Sequence, residues 1–505
     1  MLADSHRACD SPADDRTSET CMASTVARQL DSRERLRSGR DQHWVPALVV
    51  AALACYLAPR ILTGADTMWM VALGDRIAAT GGLPTGVPFA AAETSEWPNV
   101  PVMGELVMHW IHSLSAAGLA LALLVLSTIT LLTLAHHALH AGARSAGTAL
   151  ALAIVGIGML PTFGVVRAQM LSLVPFALLI VLLRAQSSSP DRFIWLVVPL
   201  IAVWGNLHGG VLVGVALTGC YVVFSRLRTT PGTALLVGLA TVAAVWMNPA
   251  LLRTGNYYVG VLSNEAARRG TELWARPDLG SVFDVLMVLA ALALGLAALL
   301  RGGLRVWELV ATLGMAGATV TSARHGMWLL LFLLGPGALG LSRLVGRDQS
   351  TRSTPPATHP AQAYERTRRA RTLGVLVRAL TMGLAVVAVA SVLGRTAVLQ
   401  GPVQTVQAIK ALAGRQVVLA PEPLAEDLAA AGVTIWVSNP IDAFRPEDQA
   451  AYLDVWLGRD SGRRAIEASD VVVARLGSPA LTLAGSTGCI EVGRATDFAV
   501  LACRH

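Results

Sequence analysis

Charge is scarce in this chain of 505 residues. Asp, Glu, Lys and Arg make up 14% of it, against 54% hydrophobic residues and a mean hydropathy of +0.55. Soluble domains carry about a quarter of their residues charged, so a soluble globular enzyme is excluded. Lys410 is the one lysine, and the net charge of +7 rests on arginine. Those arginines sit in short connections between apolar runs rather than in one basic patch, which excludes a nucleic-acid partner and fits a membrane protein. Cys9, Cys21, Cys55, Cys220, Cys489 and Cys503 show no CxxC or zinc-type spacing, so a thiolate metal site is excluded. A Walker motif, a GxGxxG after a strand and a GxSxG are all missing, which removes nucleotide-driven transport and lipase chemistry.

Long apolar runs are what the chain has instead. They fall at 44–62, 102–138, 146–166, 170–185, 193–207, 210–225, 232–248, 281–300, 305–322, 326–345 and 373–393. Most approach the roughly 20 residues that cross a bilayer as helix. The sequence therefore predicts an α-helical polytopic membrane protein of about eleven transmembrane helices. Residues 1–43 read as a disordered cytoplasmic tail, 44–345 as a multi-pass membrane domain, 346–372 as a basic cytoplasmic loop and 373–393 as the last transmembrane helix. No apolar stretch with a cleavage site is found near the start, so the first run is expected to be an uncleaved span. The run at 102–138 is too long for one crossing, and Glu105, His109 and His112 in its first part predict that it begins as an interfacial or lumen-facing segment.

Arginine in the short loops sets orientation. Arg144, then Arg184 and Arg192, then Arg226 and Arg228, then Arg301 and Arg305 alternate with nearly neutral connections, and Arg347, Arg352, Arg366, Arg368, Arg369 and Arg371 fall in the same phase. All are expected in the cytoplasm with the N-terminus, at the plasma membrane. Residues 394–505 change character: QVVLA, VTIWVS and DVVVAR alternate with PLAEDLAAAG and PEDQAAYLDVWLG, the pattern of a small α/β domain, which an odd span count places outside. Cys489 and Cys503 flank the strand-like runs IEVGRA and FAVLA, so a hairpin there predicts a disulfide.

With that topology, most chemistry-bearing residues collect on the outer rim: Asp66, Glu105, Arg167, Gln169, Asn206, His208, Arg324 and His325. Ionisable groups at membrane depth are costly and tend to face a cavity. Each has a plainer reading: Asp66 as cap of a helix over 67–80, the arginines as headgroup contacts, His208 as a partner for backbone freed at Gly209 and Gly210. Asp66 and Glu105, with His109 or His112, leave a divalent cation open, but their spacing defines no coordination shell.

Asp66-Thr67-Met68-Trp69, Gly74, Ile77, Gly81, Pro84, Pro88-Phe89, Trp97 and Glu105 resemble the first-loop pattern of a broad group of bacterial polytopic proteins that are similar to glycosyltransferases of the GT-C superfamily. Arg167-Ala168-Gln169-Met170 resembles the group's RPQM, Trp204 to Gly210 its WxNxHGG, Asn248-Pro249 its NP, Arg324 its late-span arginine and, more loosely, Asn439-Pro440-Ile441-Asp442 a motif of its terminal domain. The resemblance implies a GT-C-like fold and transfer of a sugar from a polyprenyl-phosphate donor at the outer face. It implies Asp66 as base or metal ligand and Glu105 as second carboxylate. Arg167, Gln169, Asn206, His208, Arg324 and His325 would then bind substrate, with positive charge stabilising the departing phosphate. Val87, Ala168 and Ala250 depart from the pattern. They support the alternative, a non-catalytic membrane protein of cell-envelope assembly whose outer domain is a binding module.

Overall fold

The computed structural model describes residues 44–115, 117–271, 274–300, 302–350, 360–399 and 402–503. The expected tail at 1–43 lies outside them, as do residues 351–359 of the expected basic loop. Helices of seven or more residues are numbered in chain order. They are α1 (Trp44–Leu57), α2 (Ala65–Thr80), α3 (Val102–Leu114), α4 (Gly118–His140), α5 (Ser145–Gly158), α6 (Leu173–Ser188), α7 (Val197–Leu207), α8 (Val211–Tyr221) and α9 (Pro231–Ala244). After these come α10 (Thr254–Ser263), α11 (Val282–Leu300), α12 (Val306–Thr321), α13 (Gly326–Ser350) and α14 (Pro360–Leu393). The terminal part adds α15 (Val403–Ala413), α16 (Leu424–Ala430), α17 (Pro446–Trp456) and α18 (Pro479–Ser486).

Five segments are helical, long and apolar enough to cross a membrane: Gly118–His140, Ala168–Ser188, Val282–Leu300, Ala323–Val345 and Thr372–Leu393. The chain is a multi-pass helical membrane protein. The other apolar runs form shorter helices of 10–17 residues among the described residues. One of them, α5, has 14 residues. A helix of that length rises about 21 Å, less than the roughly 30 Å of a hydrocarbon core, so length alone does not make it a crossing. Among the described residues, five helices therefore have the length and composition of a full crossing, and the remaining apolar runs form shorter helices. The run at 102–138 splits into α3 and α4 at Ser115, which is extended.

Bundle packing uses small residues, as expected where lipid supplies no hydrophobic drive between helices. A Cβ on Gly340 of α13 would lie 1.7 Å from the Ala297 carbonyl of α11, so only glycine allows that approach. Leu330, Leu331, Phe332 and Leu334 of α13 are fully buried, which makes this helix the bundle's axis.

Two short strands matter more than their length implies. β1 (Leu62–Thr63) pairs in parallel with β2 (Val165–Val166), Leu62 opposite Val165 and Thr63 opposite Val166. Gly64 N–H and Thr67 Oγ1–H both donate to the Val166 carbonyl at 2.8 Å, extending the clip into α2.

The terminal part holds a four-stranded sheet in the order β3 (Val418–Leu419), β4 (Val471–Arg475), β6 (Phe498–Ala502), β5 (Ile490–Ala495). β3 runs parallel to β4; the other pairs are antiparallel. VTIWVS contributes one bridge rather than a full strand: Ile435 pairs with Val418 on one side and with Ala90 on the other. The segment after α2 is thereby hydrogen-bonded to the sheet edge, Ile435 N to Phe89 O at 3.0 Å and Ala91 N to Ile435 O at 2.8 Å. Cys489 and Cys503 are joined by a disulfide. The segment 265–269 docks on α17, where Arg269 meets Asp454 at 2.7 Å while also pairing with its own neighbour Glu265 at 3.2 Å.

A Cβ on Gly64 would lie 2.8 Å from the Val166 carbonyl and 2.9 Å from Arg167 Cγ. Gly64→Ala is expected to cost about 1–3 kcal/mol by overpacking, read as a lowered thermal midpoint in detergent. Gly82→Ala, where a Cβ meets nothing within 4 Å, is the control and should change little.

Candidate functional site

The clip decides where Asp66 sits. It ends three residues before Asp66 on one strand side and immediately before Arg167 on the other, so a carboxylate and a guanidinium 101 positions apart in sequence become neighbours. Asp66 is in the first turn of α2 but off helical geometry (φ −83°, ψ 20°). It makes no capping bond; Gly64 is the N-cap, which corrects the capping reading. Thr67, Trp69, Met70, Val71, Leu73, Gly74 and Ile77 of α2 are buried against the rest of the protein. Burial raises the Asp66 pKa above its ordinary 3.8, opposed by the positive charges of Arg167 and Arg324. Its Oδ1 is buried with no hydrogen bond among the described residues.

Two cavities meet at these side chains. One, of about 190 Å³, is lined by Asp66, Gln169, His208, Tyr258, Arg324, His325 and Asp442 among others. The second, of about 830 Å³, is lined by Arg167, Arg276 and Arg324, by Asp284 and Glu422, and by apolar residues among them Phe283, Met287, Met327 and Trp456. Gln169 and Arg324 belong to both walls. Arg324 lies over the ring of Trp274 at 4.3 Å, which orients its planar fork. Ala323 N–H donates to Ala275 O at 2.9 Å and anchors the turn that carries it.

The segment WGNLHGG builds the cavity wall through a relay. Trp204 Nε1–H donates to Ser172 Oγ at 2.8 Å, and the Ser172 hydroxyl in turn donates to His208 Nδ1 at 3.0 Å. Gly210 N–H also donates to that nitrogen, at 3.0 Å. Nδ1 is thus an acceptor, and Nε2 carries the proton of the neutral ring. Burial first and Arg324 second push the His208 pKa down to about 3, so the ring stays neutral at physiological pH.

Sequence reasoning placed two residues at the site that the fold puts elsewhere. Glu105 is fully buried in α3, accepts from Asn99 Nδ2 at 2.7 Å, and lines neither cavity. Burial pushes its pKa up to about 8, which keeps it protonated. Asn206 donates to Ala202 O and Met247 O at 2.8 and 2.6 Å, tying the end of α7 to the end of the next hairpin instead of facing a ligand. A divalent cation fits poorly: among the described residues no group of three or more His, Cys, Asp or Glu converges, His109 faces Asp75 at 3.7 Å, and two arginines flank Asp66.

The residues missed come from distant segments. Asp442 brings a second carboxylate to the smaller cavity from the terminal part, held by Trp97 Nε1–H at 3.0 Å. Trp97 in turn lies against Trp69 and Tyr257, with ring centroids 6.5 and 6.3 Å away. Tyr258, also on the wall, has a buried hydroxyl without a hydrogen bond among the described residues. The motif Asn439-Pro440-Ile441-Asp442 was the available signal for Asp442; Tyr257 and Tyr258 carried none.

No protein-family model matches the chain, and no curated protein matches it. Among solved structures it is similar to ArnT from Cupriavidus metallidurans bound to undecaprenyl phosphate, at 18% identity and a TM-score of 0.47 over 90% of this chain and 96% of that one. The apo state of the same protein gives 18% identity and a TM-score of 0.48 over 91% and 97%.

Burial raises the Asp442 pKa to about 6. A carboxyl whose pKa is raised on folding contributes stability that is complete below its unfolded value and is lost as pH rises through the folded one. Asp442→Asn keeps the acceptor for Trp97 and removes the titration. The wild type should therefore lose about 1–3 kcal/mol relative to this variant between pH 4 and pH 7, measured as the difference between their thermal midpoints across that range.

Proposed function

We propose that the chain is an integral membrane glycosyltransferase that moves a sugar from a polyprenyl-phosphate donor to an acceptor hydroxyl at the outer face of the plasma membrane. The observation that carries this reading is Asp66: a carboxylate with an unpartnered buried oxygen, influenced by Arg167 and Arg324, on the wall where two cavities meet. The larger cavity combines three arginines, which outnumber its two carboxylates Asp284 and Glu422, with apolar side chains, which suits a phosphate attached to a hydrocarbon chain. The smaller one offers Tyr258, His208 and Asp442, which suits the hydroxyl-rich sugar.

In the proposed step the acceptor oxygen attacks the anomeric carbon and gives its proton to Asp66. The bond from that carbon to the phosphate oxygen breaks, and the phosphate leaves with the electron pair. Arg167 and Arg324 meet the charge that grows on the leaving group, in a site shielded from water where such interactions are strong. No step runs through a metal.

The topology belongs to the same reading. Counting the shorter apolar helices as crossings with the five long ones restores about eleven passes, with the N-terminus inside and the terminal α/β part outside. Reporter fusions at Arg371 and at the C-terminus should report opposite sides; the same side for both would overturn this count.

Asp66→Asn preserves size and removes the base, so transfer of labelled sugar from polyprenyl-phosphate donors in reconstituted membranes should fall about 100-fold or more. Arg167→Lys and Arg324→Lys keep charge and lose the bidentate fork, and should weaken donor use about tenfold. Wild-type transfer should be lost as pH falls through a value above 3.8, because the ionised carboxylate is the active form and burial raises its pKa. Donors that neither bind nor react would leave the envelope-assembly role in place of catalysis.

A further inference from the structure

The far end of the bundle holds a cavity of about 1040 Å³ that the proposed reaction does not use. The same helices line both ends. α11 runs from Phe283 and Met287 at the Asp66 end to Leu300 here, and α13 from Met327 to Leu344. Helices of this length separate the two sites by roughly 25–30 Å.

The floor of this cavity is a buried ion pair. Arg184 Nε meets Glu308 Oε1 at 3.1 Å, and Arg184 Nη2 donates to Phe332 O at 2.7 Å, with the guanidinium over the Phe332 ring at 4.8 Å. The other oxygen of Glu308 accepts Arg305 N–H at 3.1 Å. The one carboxylate on the wall is thus committed, and its charge balances Arg184.

Three further guanidinium groups surround the mouth: Arg144, Arg305 and Arg343. Arg305 Nη2 donates to Ser188 Oγ at 3.0 Å and Arg343 Nη1 to Leu300 O at 3.3 Å, while the Arg144 side chain makes no ion pair among the described residues. Two of the three stand where a helix would reject them. Arg144 and Arg305 are the N-cap residues of α5 and α12, at the positive ends of those helices. Helix stability disfavours a cation there and favours an anion. The bias of arginine toward one side of a membrane explains their presence in inner connections. It does not explain why positions 144 and 305, on two separate connections, and position 343, in the last turns of α13, converge on one cavity.

We propose that this cavity is an anion site that takes a phosphate-bearing ligand, seated between Arg144, Arg305 and Arg343. Planar guanidinium groups bind phosphate oxygens in pairs, and the two helix ends add their partial positive charge. The volume exceeds what a bare phosphate fills, leaving room for an attached group. Its source is either the headgroup of an anionic lipid or a free phosphate compound.

The test uses the full chain and a triple variant, Arg144→Gln with Arg305→Gln and Arg343→Gln. Arg184 is left intact because its loss would strand Glu308 in the interior. Thermal midpoints are measured in phosphatidylcholine nanodiscs with and without phosphatidic acid, and in detergent with and without inorganic pyrophosphate. A rise in the wild-type midpoint with either probe, and binding about tenfold weaker for each arginine removed, is the expected result. A response to phosphatidic acid alone identifies a lipid headgroup, and a response to pyrophosphate alone a soluble ligand. If the triple variant fails to fold, Arg144→Gln alone carries the comparison, since that side chain supports no ion pair. The proposal is overturned if neither probe moves the wild type, or if the variant responds as strongly.

Discussion

The pairing of residues 62–63 with 165–166 is the constraint on which the site depends. Two ladder positions would be marginal in isolation. Here they are reinforced by Gly64 and Thr67, which both use the Val166 carbonyl. Because the strands are parallel and in register, the residues that follow them emerge at the same end, and Asp66 and Arg167 are delivered side by side. The clip also bends the chain at Asp66 away from helical geometry, and its carboxylate oxygen Oδ1 is left without a hydrogen bond among the described residues. An acid held this way is available to a ligand.

Around it the protein manages charge in two different manners. At the Asp66 end, positive groups face cavities and the polar atoms beside them are partly unsatisfied: Asp66 Oδ1 and the Tyr258 hydroxyl have no hydrogen bond among the described residues. Burying such atoms without a partner costs free energy, and a ligand that supplies the partner recovers it. At the opposite end the buried charges, Arg184 and Glu308, neutralise each other, and the excess arginines stand at the mouth in contact with water. The terminal α/β part packs over the first site, with Asp442 hydrogen-bonded to Trp97 and Ile435 bonded to Phe89 and Ala91.

Much of the architecture was legible in the sequence because it rests on local composition. Runs of apolar residues at 118–140, 282–300 and 326–345 can satisfy their backbone in lipid only as helices, and helices are what they form. The hairpin of β5 and β6, with its cysteines bonded, followed from two short β-branched runs. Part of the site was legible too, since Asp66, Gln169, His208, Arg324 and His325 share one cavity wall. Glu105 and Asn206 were misplaced because nothing in a helical segment's own sequence says which face meets the cavity and which meets Asn99 or Met247.

By itself, then, the sequence determined that the chain is a membrane-spanning helical protein ending in mixed strands and helices, since hydrophobicity and periodicity act over a turn or a strand. Tertiary structure decided which acids stand opposite which arginines. Asp66 reaches Arg167 across 101 positions and Asp442 reaches Trp97 across 345, through backbone pairing and ring packing that no local pattern encodes. Tertiary structure also decided that arginines 144, 305 and 343 share a cavity, because their meeting depends on how closely α5, α11 and α13 approach, and that distance is set by small residues such as Gly340 touching partners far away in the chain.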